Sequence, residues 1–171
     1  MNTEDLKSLQ APLKEQYRSD PGSALITLKA SGEVGDGITC KVETGQKLVE
    51  AGLHPATGGT GMLACSGDML LEALVACAGV TLKAVSTAIG IELKRGIVTA
   101  EGDLDFRGTL GVSKDAKVGF QSIRLIFTIE ADASPDQMAS LQKLTERYCV
   151  VYQTLVNGVA LESKFIKELP L

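Results

Sequence analysis

Apolar and polar positions recur along this chain with two different periods, and the changes of period mark its elements. The longest coherent stretch is SGDMLLEALVACAGVTLKAVSTAIG, residues 66–90. Within it Leu70, Leu74, Cys77, Thr81, Ala84, Val85 and Ala88 fall at the three- and four-residue spacing of one helical face. The pattern predicts one buried amphipathic helix with Cys77 near its middle. The small side chains of Ala76 and Ala78 beside that thiol permit close approach of another segment. Ser66 is expected to cap the helix, Asp68 to place negative charge in its first turn and Gly90 to stop it. Asp68, Glu72 and Lys83 interrupt the apolar run, which therefore reads as a core helix and not as a membrane span.

Helical spacing returns at three other places. Ser134, Pro135, Asp136 and Gln137 form a helix-start signature, and Met138, Leu141, Leu144, Thr145 and Tyr148 follow as its buried face. Cys149 falls at or just past its end. Val150 to Asn157 reads as a short further helix, stopped by Asn157-Gly158. Residues 2–18 carry Leu6, Leu9 and Leu13 on one face, with Pro12 expected to kink or break the helix.

Between the helices the period is two. ALITLKAS (24–31) and ITCKVET (38–44) read as strands joined by a hairpin connection at 32–37, with Ile38, Cys40 and Val42 on one face. QKLVEA (46–51) is a third strand candidate, and the Gly-, Pro- and Thr-rich residues 53–68 are expected to be a loop. Residues 91–108 predict two short strand pieces broken at Arg95-Gly96, followed by a polar connection to Gly119. QSIRLIFTIEAD (121–132) is the clearest strand, with Ile123, Leu125, Phe127 and Ile129 facing one way. Val159 to Lys167 is expected to supply a last strand. Segregated strands and helices predict an α+β protein with a mainly antiparallel sheet. We expect one domain over residues 23–171, with residues 1–22 as a helical extension.

Composition narrows the function classes. At 171 residues, 44% hydrophobic and 22% charged, the chain has what one sizeable core needs. A net charge of −4 gives no basic surface for nucleic acid or an anionic membrane. Cys40, Cys65, Cys77 and Cys149 form no CxxC pair and His54 stands alone, so no metal site and no cofactor are expected. MNTEDLKSLQ has no apolar leader segment, and a cytoplasmic, reducing setting is expected, in which a structural disulfide framework is not.

That leaves the thiols. Cys77 lies mid-helix, out of reach of its own helix's dipole, and apolar burial alone would raise its pKa. It is either a small core hydrophobe, the reading that residue chemistry alone favours, or a reacting group activated by a cation or donor from elsewhere. Cys149, beside Arg147, comes 72 residues later, and periodicity alone does not bring the two together. Cys40 reads as a core strand residue. Cys65 reads as a packing residue or an alternative thiol partner. His54 reads as a loop residue, and the glycines at 58–61, lacking a following lysine, as an approach to the helix rather than a phosphate loop. Glu72 lies about 140° around the helix from Cys77 and points away from it.

SGDMLLEALVACAGVTL, preceded by HPATGGTG and followed by ERYCVVYQTL, resembles the OsmC/Ohr family of osmotically inducible and organic-hydroperoxide-resistance proteins. The resemblance runs from Ala24 to Leu171. It implies an intertwined homodimer with a curved, mainly antiparallel sheet, a long central helix and a second helix. It implies Cys77 as the peroxidatic cysteine and Cys149 as the resolving one, close together at the subunit interface. An organic hydroperoxide would be the substrate, and an external dithiol, lipoyl-linked in the hydroperoxide-resistance branch, the reductant. Active members carry a glutamate ten residues before the first cysteine, paired with an arginine from the early strands. Here that position is Gly67, with Asp68 beside it, and the early strands hold no arginine, leaving Arg18 and Arg147 as candidate supports. Val150 stands where many relatives have proline. Two functions are therefore compatible with the sequence. One is a two-cysteine peroxidase. The other is a non-catalytic homodimer of this fold that binds an apolar small molecule or acts as a thiol redox sensor.

Overall fold

The helix predicted around Cys77 is the element on which the others pack. In the computed structural model, which describes residues 2–20, 31–34, 39–43, 48–111 and 113–167, it runs Ser66–Ala88 as α2. Around it, in chain order, lie α1 (Thr3–Ser19), β1 (Ser31–Val34), β2 (Thr39–Glu43), β3 (Leu48–Gly52) and β4 (Ala64–Cys65). Beyond it come β5 (Leu93–Leu104), the short α3 (Phe106–Thr109), β6 (Phe120–Ala131), α4 (Pro135–Tyr148) and α5 (Val150–Asn157). The α+β class predicted from the sequence is the architecture observed. By length and composition alone α2 could cross a membrane. Its packing against α1, β4, β5, α4 and α5 makes it the core element instead.

The buried positions of α2 are Leu74, Ala78, Leu82, Val85 and Ser86. This stripe is rotated from the predicted one, so that Cys77 sits half-buried at its border and Leu70 and Val80 are exposed, Val80 to 72%. The helix is apolar almost all round, and spacing alone does not select which apolar face meets the sheet. Leu82, Val85, Ile91 and Leu141 form the core cluster, with Phe127, Ile129, Met138 and Leu144 packed against it. Ser66 is the first helical residue rather than the cap. The chain enters α2 directly from β4, so Cys65 takes the cap position in extended backbone and makes no side-chain cap bond. Gly90 does end the helix, at a φ of 75° that favours glycine, and the Ile91 N–H donates to the Ser86 carbonyl at 2.8 Å.

Strand order is β1-β2-β3-β4 in one sheet and β5-β6 in another, antiparallel except for the β3–β4 pair. Several sequence expectations are corrected here. Residues 32–34, expected in a hairpin connection, belong to β1, with Val34 opposite Cys40. The strand expected at 24–30 lies outside the described residues. Strand β5 is continuous through Arg95-Gly96. Its irregularities fall between Leu93 and Arg95 and between Asp103 and Leu104. Pro12 does not break α1, which docks on the end of α2 through Leu6 and a bond from the Thr3 hydroxyl to the Thr87 carbonyl at 2.9 Å. Ser134 and Gln137 form the predicted capping box of α4, whereas Tyr148 is exposed rather than buried. Residues 159–167, expected as a strand, have no strand partner among the described residues and leave Leu161 and Phe165 almost fully exposed.

Candidate active site

One residue separates α4 from α5. Cys149 closes the first helix and opens the second, with φ −74° and ψ 109°. Its N–H donates to the Thr145 carbonyl at 3.0 Å, and its own carbonyl accepts from the Gln153 N–H at 2.9 Å. Its side chain makes no cap bond, so the first N–H groups of α5 have no partner from that source. Helix α5 packs on α2, and its first N–H groups act on two thiols, those of Val150 and Val151 on Cys77 and those of Tyr152 and Val151 on Cys149.

The Cys77 thiol is held below its ordinary pKa. Burial is the largest single influence and opposes ionisation. It is outweighed by the N–H of Val151, the Cys149 thiol, the N–H of Val150 and the Thr81 hydroxyl acting together. These are donors that favour a thiolate, and two of them are peptide groups at the positive end of a helix. The single Thr81 proton goes to the Cys77 carbonyl at 2.8 Å in this structure, so Thr81 serves the thiolate only by turning from that carbonyl. Cys149 is shifted the other way. Burial pushes it up, the Tyr152 N–H counteracts this, and the neighbouring Cys77 raises it further. It is 1% exposed against the half-buried Cys77. The two neighbouring thiols are thus shifted in opposite directions, that of Cys77 down and that of the more buried Cys149 up.

The other candidate residues are not at this place. Asp68 is exposed and lines a shallow depression with Glu72, Val75 and Thr99 on a different side of α2. Arg147 is exposed, its guanidinium 5.5 Å over the Tyr148 ring, beside an open depression that Cys149 and Val150 line. The side chain of Arg18 lies outside the described residues. Arg124 is engaged by Glu101 and Asp103 on the outer face of β5–β6, and Arg107 by Asp105. A Cβ at Gly67 would point at Cys65, Leu104 and Phe120, so a side chain there enters that apolar corner. His54 has a loop role: its Nδ1 accepts from the Ala56 N–H, and its ring stacks on Phe106 at 4.9 Å. No group of three or more metal-ligating side chains occurs among the described residues.

Sequence reasoning missed Thr81 as a donor and the peptide groups of Val150 and Val151. The signal for the first was its position four residues after Cys77. The second had only the predicted helix start at residue 150.

Two unlike thiols at one helix start, within an α+β fold built on a long apolar helix, define a candidate thiol redox protein. The family model described as OsmC-like protein matches residues 59–164, which include both cysteines. The chain belongs to the OsmC-like protein family. An OsmC-like protein from Mycoplasma pneumoniae shares the fold at a TM-score of 0.65 and 16% identity, over 78% of this chain and 89% of that one. An organic hydroperoxide resistance protein from Elizabethkingia anophelis is similar at 0.61 and 18%, over 78% and 90%. One from Legionella pneumophila is similar at 0.59 and 17%, over 77% and 90%. At these identities the structural likeness shows the fold alone. The comparison with curated proteins gives no match.

Proposed function

We propose that this protein is a thiol-dependent peroxidase that reduces organic hydroperoxides through a two-cysteine cycle. Family membership supports a redox, peroxidase-type role at the family level. The observation that carries the finer reading is the opposite shift of two neighbouring thiols at the start of α5. The Cys77 thiolate attacks one oxygen of the peroxide. The O–O bond breaks, the departing alkoxide takes a proton to become an alcohol, and Cys77 is left as a sulfenic acid. The Cys149 sulfur then attacks the Cys77 sulfur, expelling the hydroxyl as water with the Cys149 proton and forming a disulfide. A dithiol, lipoyl-linked in our reading, reduces that disulfide while being oxidised to its own.

In this account the start of α5, with Thr81, takes the place of the arginine and glutamate of active relatives. Asp68, Arg18 and Arg147 are then dispensable for ionising Cys77. The test is Val150→Pro, which deletes one donor. Proline suits the first position of a helix, and the extended backbone of Cys149 suits the residue before it, so the fold should tolerate the change. The pH midpoint of Cys77 alkylation is expected to lie below the free-thiol value of about 8.5 in the wild type. It should rise by about one unit in the variant, the equivalent of one hydrogen bond to a charged group. Because the folded pKa is lowered, reactivity is full above the midpoint and falls about tenfold for each pH unit below it. An unchanged midpoint sinks this account of activation.

A cytoplasmic homodimer belongs to the same reading. Leu70, Ala73, Ala76 and Val80 form an exposed apolar stripe along α2, opposite its buried face. The second reading, a redox sensor, would use the same thiols without turnover. The excess of peroxide consumed over protein in the presence of a dithiol separates the two.

A further inference from the structure

Helix α4 does not run on into α5, and the hydrogen bonds at the break are redistributed. In one continuous helix the N–H groups of Val150, Val151 and Tyr152 would donate to the carbonyls of Glu146, Arg147 and Tyr148, four residues back. The ladder is intact up to the break, where the Cys149 N–H donates to the Thr145 carbonyl at 3.0 Å. It resumes with the Gln153 N–H on the Cys149 carbonyl at 2.9 Å. Between them the extended backbone of Cys149, with ψ 109°, turns three donors out of the ladder. Two of these, from Val150 and Val151, are the N–H groups that act on Cys77.

The break leaves the last carbonyls of α4 in need of other partners. For Glu146 that partner is the half-buried side chain of Gln153, whose Nε2 donates to the Glu146 carbonyl at 2.9 Å. Asn157, one turn further along α5, holds this amide from behind. Its Nδ2 donates to Gln153 Oε1 at 2.9 Å and to the Gln153 carbonyl at 3.0 Å. With Oε1 engaged by a donor, the Nε2 end of the amide is the one that faces Glu146. The Glu146 carboxylate is engaged separately, accepting from Gln142 at 2.8 Å. Gln153 thus serves the main chain of α4 and not its charge.

We infer that Gln153 is a positioning residue for Cys77: its amide occupies the carbonyl to which the Val150 N–H would return in a continuous helix, and so keeps that N–H turned to the thiol. The inference rests on the proposed activation of Cys77 by the start of α5, and adds what holds that start open. Without the amide, the Val150 N–H faces two acceptors, and a backbone carbonyl is a stronger acceptor than a neutral thiol. Rotation of Cys149 toward helical dihedrals then satisfies Glu146 at the expense of Cys77.

The test measures the pH midpoint of Cys77 alkylation in the wild type, Gln153→Met, Val150→Pro and the double variant. Methionine keeps the length and helix preference of glutamine but has no N–H to donate. Gln153→Met is expected to raise the midpoint by about half a unit, part of what losing the Val150 donor itself removes, and to slow alkylation about threefold below both midpoints. In the Val150→Pro background the same change should add nothing, because no N–H is left to hold. Asn157→Ala, which frees the far end of the Gln153 amide, should raise the midpoint by a smaller amount. Gln142→Met, which touches only the Glu146 carboxylate, should leave it unchanged. Circular dichroism and melting of the same samples check the fold, and Asn157→Ala decides the matter if Gln153→Met does not fold. The proposal is overturned by an unchanged midpoint in Gln153→Met, by an equal rise with and without Val150→Pro, or by a matching rise in Gln142→Met. A rise in Val150→Pro without one in Gln153→Met removes the positioning role and leaves the activation of Cys77 standing. No rise in either removes both.

Discussion

Replacing Cys77 with serine is expected to lower dithiol-supported turnover of an organic hydroperoxide by about three orders of magnitude or more. A serine hydroxyl keeps the size of the thiol and can still accept from Val150 and Val151, but at neutral pH it is not ionised and does not attack an O–O bond. The measurement is the rate of cumene hydroperoxide loss in the presence of a lipoyl dithiol, wild type against variant. Cys77 is half-buried at the edge of the α2 stripe, so the change should leave folding largely intact. Circular dichroism on the same samples checks this. Equal rates in the two proteins would remove Cys77 from the chemistry altogether.

Cys149→Ser separates the two halves of the cycle. The first reaction with peroxide should proceed at a rate near that of the wild type, because a serine hydroxyl at residue 149 retains a donor toward Cys77. The second half has lost its sulfur. With no protein thiol beside it, and with peroxide in excess over the dithiol, the sulfenic acid on Cys77 meets further peroxide and is carried to the sulfinic acid, which the dithiol does not reverse. Peroxide consumption should therefore stop after about two equivalents per chain, and mass analysis of the proteolytic peptides should show two oxygens gained on the one holding Cys77. Sustained turnover by this variant would mean that another thiol resolves the sulfenic acid, Cys65 being the candidate raised by the sequence.

The sequence made the elements of the fold legible where one periodicity dominated. The α4 cap at Ser134 and the inward face of β6 follow directly from local chemistry, and both are observed. Less legible were features decided by contacts between elements. The face of α2 that is buried depends on where β5 and α4 lie, and a helix apolar on most sides carries no internal record of that choice. The continuity of β5 across Gly96 depends on its long pairing with β6, which outweighs the local cost of a glycine in a strand. The strand expected at 159–167 lacks a partner among the described residues, and sequence pattern reports the tendency to pair without reporting with what.

The candidate site divides in the same way. The two cysteines were singled out by residue type and family resemblance, but the source of their unequal chemistry was not. The charged side chains that the sequence offers as supports are Asp68, Arg18 and Arg147. The groups that lower the Cys77 pKa are peptide N–H donors, a hydroxyl and a second thiol. Peptide donors carry no signature in residue identity. What reveals them is that α5 starts one residue after Cys149, so that the Val150 and Val151 N–H groups and the second thiol act on Cys77 together.

The central claim is that Cys77 and Cys149 form one redox couple at that helix start. The most direct test treats the reduced wild-type protein with one equivalent of cumene hydroperoxide, without added dithiol, then alkylates and maps its peptides. The account predicts one alcohol released per chain, loss of two thiols, and a disulfide joining the peptides of Cys77 and Cys149, with Cys40 and Cys65 recovered alkylated. Unconsumed peroxide, or an oxidised Cys77 beside a freely alkylated Cys149, would contradict it.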